Sequence, residues 1–235
     1  MRETLSRLTP ARAPTWKGPG KLLKADLHIH TRYSMDCDMP LEKIVERCTK
    51  LGINCIAIAD HGTIEGALRI QDIAPFTVIV AEEILTPVGE IMGVFLKQGI
   101  PSGSSVRETI ARIKEQDALV CLPHPFDTLR RLRLSESEMD ELAADIDIIE
   151  VFNARSPFPQ SSRKARAFAD KHGLAGCAGS DAHSPIEIGR AYIDMPEFEG
   201  KDGYLQSLRA GTITGKRSNP LVHFLSIWAK IKKAF

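Results

Sequence analysis

The chain predicts an α/β domain whose strands close into a barrel-like sheet. Short apolar runs suited to buried strands alternate with segments of helical period, about seven times over. The 235 residues, 43% hydrophobic and 26% charged, suffice for one large core and suit one domain better than two. An open doubly wound sheet is the alternative architecture, and no glycine-rich phosphate loop of the G-x-G-x-x-G or G-x-x-x-x-G-K type is present, which counts against a nucleotide-binding fold of the usual sort. Strand–helix alternation of this kind implies parallel strands joined by right-handed crossovers.

Strands are expected over 25–30, 55–60, 77–84, 90–96, 118–123, 146–152 and 174–180. Helices are expected near 40–51, 63–73, 104–116, 136–144, 160–172 and 201–210. Pro40 suits a first helical turn, Ser104 or Ser105 can cap the helix that follows, and Gly52 and Gly173 stand where helices end. Residues 1–23, rich in Pro, Gly, Arg and Lys, read as an N-terminal extension, and 24–218 as the barrel domain. Residues 219–235, NPLVHFLSIWAKIKKAF, read as an amphipathic helix. Leu221, Phe224, Leu225, Trp228 and Ile231 share one face, with Lys230, Lys232 and Lys233 in the last turn. Such a helix can lie on a membrane surface or a partner, but packing of the stripe on its own barrel is the plainer expectation.

The formal net charge of +1 gives no argument for a nucleic-acid or acidic partner. Cys37, Cys48, Cys55, Cys121 and Cys177 are scattered without a C-x-x-C pair, so they read as small buried residues in a reduced, cytoplasmic setting. No run approaches the roughly 18–20 apolar residues of a membrane helix, and no apolar core follows Arg2 and Arg7 as a signal peptide requires.

The chemistry collects at strand ends. His28 with His30, His61, His124 and His183 fall at the C-terminal ends of expected strands, joined by Asp36, Asp60, Glu83 and Asp181. In α/β barrels that end carries the active site. Residues i and i+2 of a strand share a face, so His28 and His30 can aim two imidazoles at one ion, and Asp181 with His183 repeats the spacing. Nitrogen ligands mixed with carboxylates suit Zn, Mn or Fe better than Ca or Mg. One H-x-H is weak evidence. Its recurrence with D-H, E, H-P and D-x-H at successive strand ends is specific.

The runs DLHIHTRYSMDC, IADHG, AEEI, LPHPFD and GSDAHSP together resemble the PHP (polymerase and histidinol phosphatase) family over about residues 24–195. GSDAHSPIEIGRAYI also resembles the C-terminal segment of short, stand-alone members. The resemblance implies a distorted (β/α)7 TIM-like barrel, two or three divalent metal ions and hydrolysis of phosphoesters. By motif, His28, His30, Glu83 and Asp181 would hold one ion. Glu83 would bridge to a second ion on His124, and Asp36, His61 and His183 would hold a third. Many members carry His where Asp36 stands, and a further His on the strand after the bridging Glu. Here that strand reads GEIMGVFL, so Glu90 or a water would fill the position.

The reading this supports is attack of a metal-bridging hydroxide on a small phosphomonoester or phosphodiester, with Glu83 and Asp181 central to the chemistry. Arg155 is the first candidate for the outer phosphate oxygens, Arg190 the second and Arg32 the third, each weighed against a solvated surface arginine. The partner expected is a small phosphorylated substrate rather than nucleic acid. A histidinol-phosphatase-like enzyme, a nucleic-acid-end phosphoesterase, an amidohydrolase-like enzyme and a non-catalytic metal-binding regulatory domain are the competing readings. Asp60 is expected to orient a neighbour rather than to ligate. Glu82 is expected to face away from the site, Glu150 and Asn153 to support it, His172 to cap or be solvated, and His223 to be partly exposed. Arg130, Arg131 and Arg133 are expected to form a solvated run.

Overall fold

A computed structural model describes residues 22–127 and 132–234, apart from the side chains of Glu136, His223, Leu225 and Ala234. The N-terminal extension up to residue 21, the Arg130 and Arg131 pair and the side chain of His223 therefore lie outside the described residues. In chain order the elements are β1 (Leu22–Ile29), α1 (Leu41–Leu51), β2 (Cys55–His61), α2 (Glu65–Gln71), β3 (Thr77–Thr86), β4 (Gly89–Val94), α3 (Val106–Glu115), β5 (Leu119–Leu122), α4 (Glu136–Leu142), β6 (Ile148–Asn153), α5 (Pro159–His172), β7 (Ala175–Gly179), β8 (Ala191–Pro196), α6 (Gly200–Ala210), β9 (Thr212–Gly215) and α7 (His223–Ala234). The expected helix punctuation holds at Ser105, Gly52 and Gly173, whereas Pro40 stands just outside α1 as its extended N-cap rather than in the first turn. Ser105 accepts a hydrogen bond from Glu108 N at the start of α3, and Gly52 and Gly173 close α1 and α5 in left-handed backbone.

One sheet runs in the order β7-β6-β5-β4-β3-β2-β1-β8-β9 and is nearly closed. β1, β2 and β3 are parallel, as are β5, β6 and β7. The expectation of wholly parallel strands fails at three places. β4 is antiparallel to both neighbours, and β8 and β9 extend the sheet past β1 in antiparallel pairs. The reason at β4 is chain length. Thr86 and Gly89 pair directly across a hairpin, and a parallel return needs a crossover of a dozen residues or more.

The inner rows of the barrel explain where the site lies. On β2, Cys55, Ala57 and Ala59 fill the interior, and His61 continues the row. On β3, Ile79 and Ala81 do the same, and Glu83 follows. Ile148 on β6 leads to Glu150. The period of two carries each apolar row into a polar side chain at the open end. β1 departs from this. Leu23, Ala25 and Leu27 face the interior, yet so do His28 and His30. A register irregularity between Asp26 and Ile29 shifts the phase and re-aims the histidine pair. Ile29 then packs outward with α1 and α2.

The seam between β7 and β1 closes the sheet. Asp181 N donates to His28 O at 2.7 Å, and His30 N donates to Ala182 O at 3.0 Å. A Cβ at Gly179 would lie 2.2 Å from His28 Cβ and 2.8 Å from His28 N, so only glycine fits. Gly179→Ala should lower unfolding free energy by about 1–3 kcal/mol, the usual cost of overpacking, in a denaturant titration.

Helix α7 lies across the open end, but not as expected. Phe224, Trp228 and Ile231 are exposed, as is Leu221 in the turn before the helix, and the inward side is Ser226 and Ala229 with Val222 of that turn. Lys233 Nζ donates to the carbonyls of Arg32, Ser34 and Cys37. The ground beneath is polar, so small and hydrogen-bonding side chains face it. Among the described residues no helix is long and apolar enough to cross a membrane.

Outward-facing Glu82 is fully buried, accepting from Ile100 N at 2.8 Å, and burial pushes its carboxyl up from 4.5 to about 7. A raised folded-state value means that folding favours the protonated form. The stability this gives is complete below 4.5 and is lost as pH rises through about 7. Glu82→Gln should therefore gain stability over wild type by about 1–3 kcal/mol more above that value than below 4.5, read from unfolding curves across the window.

Candidate metal centre

At the open end the strands bring together His28, His30, Asp36, His61, Glu83, His124, Asp181 and His183. Their ring nitrogens and carboxylate oxygens fall into overlapping groups whose atoms lie within 4.8 Å of one another. His30, Asp36, His61 and His183 form one group. His28, Glu83 and His124 form a second, and His28, His30 and Asp181 a third. Glu83 joins them. Its Oε2 lies 3.3 Å from His28 Nε2, 3.4 Å from His30 Nε2 and 3.6 Å from His61 Nδ1, while Oε1 lies 2.9 Å from His124 Nε2. Asp36 Oδ2 sits 3.4 Å from His61 Nε2 and 3.2 Å from His183 Nε2. Asp181 Oδ1 is 3.4 Å from His30 Nε2. Glu90, on β4, comes within 3.6 Å of His124 Nε2 and groups with His61 and Glu83.

Two of these residues hold unusual backbone. His124 has φ 27° and Asp181 φ 55°, in the left-handed region that Asp and His tolerate better than most residues. Each is fixed by a hydrogen bond from its own N–H, His124 to Glu150 Oε2 at 2.9 Å and Asp181 to His28 O at 2.7 Å.

Supporting contacts surround the cluster. Glu150 Oε1 lies 3.1 Å from His28 Nδ1, and its Oε2 accepts from both His124 N and Asn153 Nδ2. Asn153 Nδ2 also reaches Asp181 Oδ2 at 3.1 Å. Asp60 faces outward and accepts from Thr31 N and Oγ1, each at 2.6 Å, at the start of the loop that carries Asp36. Beneath, Asp26 accepts from Ser180 N and Gly189 N and so fastens both ends of the segment bearing Asp181 and His183. Sequence reading passed over Asp26, although it lies in DLHIH, and over Glu187, which receives His183 N at 3.2 Å. His172 sits against Asp140 at 2.7 Å, away from the cluster.

The two arginines diverge. Arg155 is buried at the cluster, with Nε 3.3 Å from Glu187 Oε1 and donors to Val222 O and Ser226 Oγ on the inner side of α7. It also meets His183 Nδ1 at 2.5 Å. Arg190 is not brought to the cluster. It lines a different groove with Arg47, Tyr192 and Lys216. Arg32 is exposed. Lys230, reaching down from α7 to 3.7 Å from Asp36 Oδ2, is a cation at the mouth that sequence spacing gave no means of placing.

The electrostatics ask for cations. Burial alone would depress His28, but Glu83, Asp181 and Glu150 overcome it and hold the imidazole well above its usual value. His30 behaves likewise, burial being outweighed by Asp181 and Glu83, and rises to about 9. Burial would raise Glu83 and Asp36, yet the surrounding imidazoles bring both carboxyls below the usual range. Burial, His30 and Arg155 push His183 down to about 3, which leaves it neutral with a lone pair to give. His30 Nδ1 is buried without a hydrogen-bond partner. Divalent ions meet the same demand for positive charge as the protons do, so the donor set fits them.

A barrel with nitrogen and carboxylate donors massed at its open end belongs with the TIM-like α/β barrels that build their sites on strand ends. Within that class, the PHP domain model matches residues 26–89 and the PHP-associated model residues 159–213. An uncharacterized protein of Methanocaldococcus jannaschii is 36% identical over 180 residues, covering 75% of this chain and 72% of the relative. The chain belongs to the PHP family. Among solved structures, a two-domain protein of Bacteroides vulgatus containing a predicted PHP-like metal-dependent phosphoesterase superposes with TM-score 0.66 at 19% identity, over 91% of this chain and 70% of the other. A candidate metal-dependent phosphoesterase from Bifidobacterium adolescentis gives 0.63 at 20% identity, over 83% and 98%. At these identities the two structures speak to the fold.

Glu150 touches three members of the site, and its loss should loosen all of them. Glu150→Ala should weaken divalent-metal binding by about 10–100-fold in calorimetric titration, the usual effect of removing a carboxylate that orients a ligand.

Proposed function

We propose that the chain is a metal-dependent phosphoesterase acting on a small phosphomonoester or phosphodiester. The observation that carries this is Glu83, one of whose carboxylate oxygens meets His124 while the other lies among His28, His30 and His61, an arrangement that suits a bridging ligand. His28, His30, Glu83 and Asp181 would hold one divalent ion, Glu83 and His124 with Glu90 a second, and Asp36, His61 and His183 a third. Nitrogen and oxygen donors of this kind suit Zn, Mn or Fe. Ions bound there would supply Lewis acidity toward a phosphoryl oxygen and lower the pKa of water at the site.

The remaining work falls to the chain. Asp181, oriented by Asn153, takes the proton of the attacking water and returns it to the leaving alkoxide oxygen as the ester P–O bond breaks. Lys230 at the mouth meets the negative charge of the phosphate. Arg155 holds His183 in place and adds positive potential from beneath α7. The helix across the mouth favours a compact substrate over a polymer, in keeping with the nearly balanced charge of the whole chain. That the structural neighbours in Bacteroides vulgatus and Bifidobacterium adolescentis carry phosphoesterase descriptions supports the same chemistry.

The test loads the protein with Mn, Fe or Zn and assays phosphomonoesters, small phosphodiesters and amides side by side. Phosphoester hydrolysis should appear, be lost on chelation, and fall by about 10²–10³-fold in Asp181→Asn and Glu83→Gln. A metal-loaded protein that cleaves none of the esters would overturn the proposal in favour of a regulatory metal-binding domain, and cleavage of amides alone would reassign the bond.

A further inference from the structure

The outward face of α7 has no part in the chemistry above. On it Phe224, Ile227, Trp228 and Ile231 are 66%, 53%, 67% and 48% exposed, and Leu221 in the turn just before the helix is 65% exposed. Their three- and four-residue spacing sets them along one side of the helix. The barrel already holds the other side, through Val222, Ser226, Ala229 and Lys233, so the stripe is not waiting for its own core. Tyr33 and Met35, 40% and 46% exposed on the loop that receives the end of α7, add to the apolar surface of that region. Soluble domains seldom expose large apolar side chains in so continuous a row unless something covers them.

Charge identifies the cover. Residues 216–235 hold Lys216, Arg217, Lys230, Lys232 and Lys233 and no Asp or Glu, in a chain whose formal net charge is only +1. By helical geometry Lys232 stands on one border of the apolar stripe, 64% exposed although its Nζ lies 3.0 Å from Asp38, and Lys230 stands on the other, 54% exposed with its Nζ turned to within 3.7 Å of Asp36. An apolar strip edged by lysines suits the interface of an anionic bilayer. Apolar groups enter the acyl boundary while the ammonium groups extend to the headgroup phosphates. A second copy fits less well. A twofold contact would set these lysines near their own equivalents, where like charges repel.

We propose that α7 docks the chain on an anionic lipid surface, with Phe224, Ile227, Trp228 and Ile231 in the acyl boundary and Lys232 at the headgroups. This goes beyond the phosphoesterase reading and does not depend on it.

The experiment uses the full chain and vesicles of phosphatidylcholine with or without phosphatidylglycerol. The protein should sediment with the anionic vesicles and not with phosphatidylcholine alone, and added salt should weaken the association. The chain has two tryptophans, Trp16 and Trp228. In a Trp16→Phe background the emission of Trp228 should shift to the blue on anionic vesicles. Phe224→Asp combined with Trp228→Asp should reduce vesicle binding roughly tenfold or more, with the circular dichroism spectrum retained because both side chains are exposed. Failure to bind anionic vesicles, or undiminished binding by the double variant, would overturn the proposal. So would a dimer in light scattering that the double variant dissolves, since the face would then belong to a second copy.

Discussion

The seam between β7 and β1 is the constraint on which the open end depends. Asp181 N to His28 O and His30 N to Ala182 O are backbone bonds, yet they set the distance between the histidine pair and the aspartate on the far side of the sheet. Gly179 lets the two strands approach closely enough for those bonds to form. A wider seam would leave Asp181 Oδ1 beyond the 3.4 Å at which it now meets His30. The left-handed backbone at Asp181 is the local strain that this closure imposes, and the hydrogen bond to His28 O helps offset it. Asp26 then fixes the segment from below through Ser180 and Gly189.

A second consequence is electrostatic. Closing the barrel mouth buries Asp36, Glu83, Glu150 and Asp181 beside five imidazoles. Isolated buried carboxylates are expensive, so each must be paired, hydrogen-bonded or matched by a cation. Glu150 meets the requirement by accepting from His124 N and Asn153 and approaching His28 Nδ1. Asp36 and Glu83 meet it through ring nitrogens that would otherwise be ligands. Divalent ions held as the proposed function requires would take the place of those protons, and the same side chains already face the positions they would occupy.

Much of this was legible in the sequence because the barrel interior obeys a period of two. All seven expected strands occur, and the rows through Ala59 and Ala81 lead straight to His61 and Glu83. The outward placement of Glu82 and Asp60 follows from the same alternation. What could not be read was long-range or depended on turns. β4 reverses because its link to β3 is too short for a crossover, and β8 and β9 are short strands whose partners are distant in the chain. The register shift in β1 has no mark in the sequence, yet it lets Leu27 and His28 both face inward. Glu187 and Lys230 take their positions from tertiary packing that local pattern does not encode.

The inverted polarity of α7 follows from what lies under it. A helix that covers an ordinary apolar core turns its large hydrophobic side chains inward. Here the ground is Arg155, the carbonyls of residues 32, 34 and 37, and the carboxylates of Asp36 and Asp38. Large aliphatic side chains over these groups would strip them of hydrogen bonds. Ser226, the carbonyl of Val222 and Lys233 supply them instead, and Ala229 allows close approach. The apolar stripe is thereby left on the outside by the same polar chemistry that fills the mouth of the barrel. Site and exposed face are two results of one requirement, that buried polar groups find partners.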